Sequence, residues 1–354
     1  MSDTRVDARG LEIWVGRMFA AAGCPADEAV TIAGHLVGAN LVGHDSHGVI
    51  RLRDYIPWLE RGMVRADQQA KVVHETPVSL TIDGGLGYGQ AIGEQAMQLG
   101  AAKALASGVC LVGIRNTGHL GRIGHWAERC AEAGLVSLHF VNTSGFGVLV
   151  APFGSREARL SANPIAAGVP IKGGPPLILD ISTAAIAEGK IKVARNAGKE
   201  LPEGVVVDAD GKPTRDPAAF YGPPRGAILP FGGHKGSGLS VLIEVLAGAL
   251  TGGGCTDPQA ENAKELRNNM FSLLMRPDVL GVETGREEAV THFLAWVKGA
   301  APNVPGDEIL LPGEIERRTR EQRLALGIPL DPATLAELMA LGERLGVPAA
   351  GLAA

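Results

Sequence analysis

The chain of 354 residues and 36.7 kDa exceeds the length at which one hydrophobic core usually divides, so two or three packed lobes are expected. Its 49 glycines follow no collagen period and form no low-complexity tract, and 45% apolar with 20% charged residues suits a soluble chain with a substantial core, which excludes global disorder. The 33 Lys and Arg against 38 Asp and Glu leave a net charge of -5 without a basic run, which argues against nucleic acid as a partner.

Apolar residues recur at helical spacing from Leu11 to Ala22 and from Pro25 to Leu41, so the chain is expected to open as a helical lobe. VVHETPVSLTIDGG then predicts a short strand, GYGQAIGEQAMQLGAAKALASG a helix and GVCLVGIRN a buried strand. A further helix is expected over Ile123 to Ala133, with Trp126, Cys130 and Ala133 on one side and His125 at the surface or an interface. LVSLHFVN, ILDIS and NNMFSLLMRP read as strands, and EGVVVDADGKPT as a strand with an Asp-Gly turn. Leu239 to Leu250 predicts an apolar helix after GGHKGSG, and EAVTHFLAWVKG, LPGEIERRTREQRLALG and DPATLAELMALGERLG predict the last helices. These elements suggest an α/β protein with a mixed sheet. A helical domain of residues 1–75 with 315–354 would surround a central region of residues 76–314.

Cys24, Cys110, Cys130 and Cys255 are too dispersed for a metal knuckle or a disulfide framework, and a reducing compartment fits them. The amphipathic start is interrupted by charges and lacks a secretory cleavage pattern, and no apolar run approaches the roughly 20 residues a membrane helix needs. The cytoplasm is the expected location, with no membrane partner.

Four segments carry candidate chemistry. In NLVGHDSHGVIRLRDY, His44, Asp45, Ser46, His47, Arg51, Arg53 and Tyr55 lie close together. Ser46 and His47 suit orientation of an oxygen and Arg51 a carboxylate, while a capped surface turn explains the same residues without chemistry. His44, Asp45 and His47 match no metal motif, so no metal is expected. In RNTGHLGRIGHW, a strand end is expected to project Asn116 and His119 into a cleft, with Gly118 and Gly121 bending the backbone around a ligand. His119 is the best acid-base candidate, since an imidazole of ordinary pKa about 6.5 exchanges protons near neutrality. A satisfied structural histidine is the competing account. In ILDISTAAIAEGK, Asp180, Ser182 and Thr183 suit ribose or phosphate, or simply cap a helix. In PFGGHKGSG, His234 and Lys235 precede a helix whose first amides suit a dinucleotide phosphate, or the glycines merely ease a crowded helix start. No Rossmann GxGxxG in its required context, Walker loop or GxSxG occurs.

The ordered set AGHLVGANLVGHDSHG, RNTGHLGRIGHWAERCAEAGLVS, VAPFG, SANP, LILDISTAAIAEGK, GHKGSGL and ILLPGE resembles the malate/L-lactate dehydrogenase family that is distinct from the Rossmann lactate and malate dehydrogenases. The resemblance covers nearly the whole chain. It implies an unusual non-Rossmann mixed-sheet fold with a discontinuous helical domain, a homodimer, NAD or NADP as cofactor and a small carboxylic acid as substrate. It further implies His119 as the acid-base residue, with Ser46, His47 and Arg51 around substrate or nicotinamide. Cofactor contacts are implied at His47, Arg122, Ile123, Gly124, Leu179, Asp180, Ile181, Ser182, Thr183, His234, Lys235, Asn269, Leu311, Pro312, Gly313 and Glu314. The expected reaction interconverts a 2-hydroxy acid and its 2-oxo acid. Reduction of a cyclic imino acid is the alternative, and a noncatalytic nucleotide-binding module the remoter one.

Overall fold

A computed structural model describes residues 4–145, 147–257, 259, 265–282 and 284–349. The helical lobe draws on both ends of the chain. Strand β1 (Thr4–Val6) leads into α1 (Ala8–Ala21), α2 (Ala26–Leu41) and α3 (Leu52–Glu60). Near the other end, α10 (Glu314–Leu326), β12 (Ile328–Leu330) and α11 (Pro332–Arg344) return to the same lobe, where β12 pairs antiparallel with β1. Leu11, Trp14, Val15 and Met18 recur at three- and four-residue spacing on α1 and pack with Ile32 and Leu36 of α2, Tyr55 and Ile56 of α3, and Leu338 of α11. The Trp14 indole donates to the Val347 carbonyl at 2.9 Å, which pins the last helix to the first.

The centre is a seven-stranded mixed sheet. It comprises β2 (Lys71–Thr76), β3 (Ser79–Asp83), β4 (Val109–Thr117), β5 (Val136–Gly145), β6 (Pro164–Val169), β7 (Leu177–Ser182) and β11 (Leu266–Met275). Their spatial order is β2-β3-β4-β11-β5-β6-β7. Only β3 and β4 run parallel, because α4 (Gly89–Ser107) carries the chain back across the sheet between them. Val112 packs on Gly100 of α4, while the next residue, Gly113, faces Thr251. The sheet is therefore covered on both faces, by α4 on one and by the segment after α8 (His234–Ile243), a π-helical stretch at Glu244–Ala249, on the other. Helix α5 (Gly124–Glu132) packs against β5, β6 and β7.

A third, smaller core gathers Val150, Leu160, Ile191, Leu201, Val206, Phe220 and Ile228. Around it lie α6 (Glu188–Asn196), α7 (Pro217–Tyr221) and a small sheet of β8 (Val206–Val207), β9 (Pro213–Thr214) and β10 (Ala227–Ile228). The exposed α9 (Arg286–Lys298) completes the elements and has no buried residue.

The mixed α/β architecture agrees with the sequence reading, and several local expectations are corrected. VVHETPVSLTID forms two strands, because the turn at Pro77–Val78 folds it into the β2-β3 hairpin. β2 starts at Lys71 and so crosses the expected boundary after residue 75. β6 was not anticipated: NPIAAGV carries no alternating pattern, yet its small residues fit where Ala127 of α5 comes close to Gly168. His234 and Lys235 form the first turn of α8 rather than preceding it, since tertiary packing overrides the poor helix propensity of HKGSG. On α5 the inward stripe is Trp126, Ala127, Cys130 and Ala131, while Ala133 is exposed.

Candidate active site

Two segments remote in sequence meet in a polar cluster. Short 3-10 turns at Asp45–His47 and Val49–Arg51 join α2 to α3. The buried Asn40 organises them, accepting from Val49 N at 2.8 Å and donating to Asp45 at 2.6 Å. Opposite them, the loop after β4 delivers His119. Its Nδ1 lies 2.6 Å from the Tyr55 hydroxyl, and its ring stacks on His47 at 5.6 Å and 17°. Ser46 Oγ meets His47 Nδ1 at 3.0 Å, and Arg51 Nε donates to the Ser46 carbonyl at 2.7 Å. Ser46, His47, Arg51, Tyr55 and His119 thus form one connected group.

The His119 loop is held from several sides. Leu120 N donates to Asn268 Oδ1 at 2.9 Å, and Gly118 N to the Gly87 carbonyl at 2.8 Å. Gly121, at φ 73°, lies so close to His35 that a Cβ would stand 2.3 Å from its Nε2. The loop glycines, expected to bend around a ligand, lie close to protein groups: Gly118 to Gly87 and Val64, and Gly121 to His35 and Gln90. Asn116 does not join His119 either. Its amide donates to Asp83 at 3.1 Å, and its backbone N–H donates to Asn269 Oδ1 at 3.0 Å.

Burial, followed by the charges of Arg51 and His47, pushes the pKa of His119 well below the ordinary imidazole range. His47 is lowered to about 3, by burial first and then by Arg51. Both shifts favour the neutral rings near pH 7. Arg51 donates to Asp54 at 3.3 Å yet leaves its side chain 31% exposed, within reach of a carboxylate. Other members of the HDSHGVIRLRDY run leave the cluster: Asp45 pairs with Arg323 at 2.6 Å and Arg53 with Glu337 at 3.6 Å. His125 is half-buried. It packs on His35 at 4.3 Å, and burial lowers its pKa to about 3.

A second group lines up along β7. Near its start, Ile178 N donates to the Pro312 carbonyl at 3.3 Å, which lays Leu311 to Gly313 beside Leu179; Glu314 closes that turn by accepting from Leu311 N at 3.0 Å. Midway, Gly124 N donates to Asp180 Oδ2 at 2.9 Å, and Arg122 Nη1 lies 3.8 Å from the same oxygen. A Cβ on Gly124 would stand 2.5 Å from that carboxylate, so only glycine fits between Ile123 and the helix it opens. Past the strand's end, Thr183 accepts from Phe231 N at 3.0 Å through its carbonyl, bringing Ser182 and Thr183 beside His234 and Lys235. Ile181 is partly exposed on the same strand. Asn269 lies apart: it is fully buried, donates to Asn142 at 3.0 Å and supports the His119 loop from beneath. His44 connects the two groups, 4.0 Å from Asp180 and 3.4 Å from Glu316.

The partnership of Tyr55 with His119, the hydrogen bond that Gln90 Nε2 donates to the Tyr55 hydroxyl at 3.0 Å and the loop contact of Asn268 were not read from sequence. Two adjacent asparagines in an otherwise apolar strand were the available signal for Asn268, because buried amides in a sheet demand specific partners. Among the described residues, no group of three His, Cys, Asp or Glu side chains is arranged to hold a metal ion, and no helix is long and apolar enough to cross a membrane.

The family model for malate/L-lactate dehydrogenase matches residues 6–339. Hydroxycarboxylate dehydrogenase B of Escherichia coli K12 is 38% identical over 349 residues, covering 98% of this chain and 96% of that protein. The structure of sulfolactate dehydrogenase from Methanocaldococcus jannaschii superposes with a TM-score of 0.84 at 34% identity, covering 98% of each chain. That of delta1-piperideine-2-carboxylate reductase from Pseudomonas syringae gives 0.83 at 31% identity, covering 95% of this chain and 99% of the other. The chain belongs to the malate/L-lactate dehydrogenase family.

Proposed function

We propose that the protein is an NAD(P)-dependent 2-hydroxycarboxylate dehydrogenase, interconverting a 2-hydroxy acid and its 2-oxo acid with His119 as the acid-base residue. The observation that carries this reading is the cluster of His119, His47 and Arg51, with His44 of the same turn 4.0 Å from Asp180 of β7. Arg51 offers its guanidinium to the substrate carboxylate, the element common to both acids. Ser46 and His47 flank the reacting oxygen. His119 Nε2, the ring nitrogen not engaged by Tyr55, takes the hydroxyl proton in oxidation and returns it in reduction.

The groove suits a dinucleotide. Arg122 Nη1 and Thr183 Oγ1 are buried without a hydrogen-bond partner, an arrangement that phosphate or ribose oxygens would complete. Arg122, Ile123, Gly124, Leu179, Asp180, Ile181, Ser182, Thr183, His234, Lys235 and Leu311 to Glu314 would hold it, with His47 near the reacting end; Asn269 contributes by fixing the wall behind. When bound, the nicotinamide supplies a two-electron hydride acceptor or donor.

We further infer a cytoplasmic homodimer. Four free thiols suit a reducing compartment. Trp296 at 72% exposure, stacked on an exposed Phe293, supplies apolar surface suited to a second copy. The likeness to a piperideine-carboxylate reductase favours one second reading, reduction of a cyclic imino acid at the same residues. Oxidation of NADH and NADPH across a matched panel of 2-oxo acids and cyclic imino acids tests both. Turnover of an oxo acid is expected; turnover of imino acids alone would support the second reading. Cofactor binding without turnover of any member would point to a noncatalytic module.

A further inference from the structure

The ring of His119 turns one nitrogen, Nδ1, toward the protein, where the Tyr55 hydroxyl lies at 2.6 Å. Tyr55 is itself immobilised. Its hydroxyl accepts from Gln90 Nε2 at 3.0 Å, its backbone carbonyl accepts from the Tyr88 hydroxyl at 3.1 Å, and its residue is 1% exposed. A phenol oxygen both donates and accepts, and with Gln90 Nε2 as a donor the acceptor facing the Tyr55 proton is His119 Nδ1. We infer, resting on the reading of His119 as the acid-base residue, that Tyr55 is the positioning residue of His119. Its one oxygen donates to bare Nδ1 and accepts from protonated Nδ1, so that Nε2 remains the reacting nitrogen in every state.

In oxidation the ring carries its proton on Nδ1, donated to Tyr55, and Nε2 holds the lone pair. The alcohol O–H bond would break as the Nε2–H bond forms, and a nicotinamide, when bound, would supply the acceptor for the C–H electron pair. The product is an imidazolium whose Nδ1–H still rests on Tyr55. Reduction runs the same transfers backward. When the neutral ring carries its proton on Nε2 instead, the Tyr55 hydroxyl turns to donate to Nδ1, and the ring keeps its orientation. The groups facing His119 are Arg51, His47, Tyr55 and, from α2, His35. Arg51 and the two histidines are cationic or can become so and oppose a charge on the ring. Tyr55 is the neutral acceptor that stabilises it.

Tyr55→Phe preserves the aromatic packing and removes only the oxygen. The reductive kcat is expected to fall about tenfold or more, with KM for the oxo acid changing far less. The pH at which reductive kcat is half-maximal should move down by about one unit, because the imidazolium loses an acceptor. Nitrogen-15 spectra of the ligand-free protein, selectively labelled in histidine, read the ring without turnover: the His119 Nδ1 resonance should shift and the tautomer ratio change. Gln90→Leu, which leaves Tyr55 in place but frees its hydroxyl, should reproduce part of both shifts and guards against a folding defect in the first variant. A Tyr55→Phe pH profile and His119 nitrogen spectrum superimposable on those of the wild type would overturn the inference. Full activity in His119→Gln would instead overturn the acid-base reading, leaving the nitrogen spectra to judge the Tyr55 contact alone.

Discussion

The pocket around His119 and the groove along β7 differ in how fully folding partners their buried polar groups. In the pocket, Ser46, His47, Tyr55 and His119 partner one another, and the loop that carries His119 is fixed by Asn268, Gly87 and His35. Along β7, Arg122 and Thr183 are 3% and 0% exposed, yet each keeps a polar atom without a hydrogen-bond partner, Arg122 Nη1 standing 3.8 Å from Asp180. An unpartnered buried polar atom costs about 1–3 kcal/mol, a cost that a ligand removes on binding. Gln90 Oε1 and His35 Nδ1, beside the His119 cluster, are likewise buried without a hydrogen-bond partner, so the two regions differ in degree; on the proposed reading a dinucleotide would partner the atoms of Arg122 and Thr183. Variants in the two regions should accordingly fail in different ways.

The strongest test of the contrast is His119→Gln. Glutamine keeps a hydrogen-bonding group near Tyr55 but cannot exchange a proton at neutral pH. The kcat should fall by about 10²- to 10⁴-fold, the usual contribution of a positioned acid-base group, while cofactor affinity measured by calorimetry stays within about threefold of wild type. A matching loss of cofactor binding would mean that pocket and groove are not separable.

Acid should attack the self-contained regions first. His139 is fully buried between Ser272 at 2.8 Å and Ser137 at 3.0 Å, and burial lowers its pKa to about 3. The unfolded chain binds a proton at about 6.5, so between those values it holds more protons than the folded one. Stability is therefore intact above pH 6.5 and declines as the pH falls below it, by about 2 kcal/mol for this histidine by pH 4.5. His35, equally enclosed and likewise lowered by burial, adds to the decline. Denaturant melts of wild type and His139→Gln at pH 7.0 and 4.5 measure the share of His139. Equal pH sensitivity in both would show that its ring is charged in the folded state.

The same contrast governs what could be read from sequence. The groove was legible as local segments, LDIST and GGHKGSG, because glycines and capping residues at strand ends and helix starts carry their own pattern. Bringing those segments together required the register of β7 with the turn at Pro312, which no local pattern encodes. The pocket was legible only in part. His47 and Arg51 announce themselves beside Ser46, but Tyr55 reads as an inward residue of α3, and its hydroxyl acquires a role only through a partner 64 positions away. Asn269 was expected at the cofactor from family resemblance; its side chain bonds Asn142 and the Asn116 N–H within an amide network, a placement that follows from the pairing of β11 with both β4 and β5. The π-helical stretch at Glu244 had no signal at all: its carboxylate collects Asn142, Asn163 and Thr256 at 2.8 to 2.9 Å, contacts that exist only in the folded chain.

Arg51 combines a partnered and an open side, with Nε committed to Ser46 and the rest of its guanidinium partly open. Arg51→Lys keeps the charge and loses the planar fork. KM for the 2-oxo acid should rise about tenfold, corresponding to about 1.4 kcal/mol, with a smaller change in kcat. Steady-state kinetics in which kcat collapses while KM holds would place Arg51 against the reacting oxygen and not the carboxylate.

The smallest effect is the most discriminating, because its sign differs between the two regions. Thr183 Oγ1 has no partner in the free protein, so Thr183→Val removes a buried polar atom without breaking a hydrogen bond. Valine has nearly the same shape and should leave the cofactor-free protein as stable as wild type or slightly more stable, by up to about 1 kcal/mol. Cofactor affinity should nonetheless fall, about three- to tenfold, if that hydroxyl is held in reserve for the dinucleotide. Ser137→Ala, which strips His139 of one partner, should do the reverse: it lowers stability by about 1 kcal/mol and leaves cofactor affinity untouched. Thermal melts with and without saturating cofactor read both quantities on one sample. A Thr183→Val protein that is less stable alone yet binds cofactor normally would show that the hydroxyl serves the fold, and that the groove is as complete without its ligand as the pocket is.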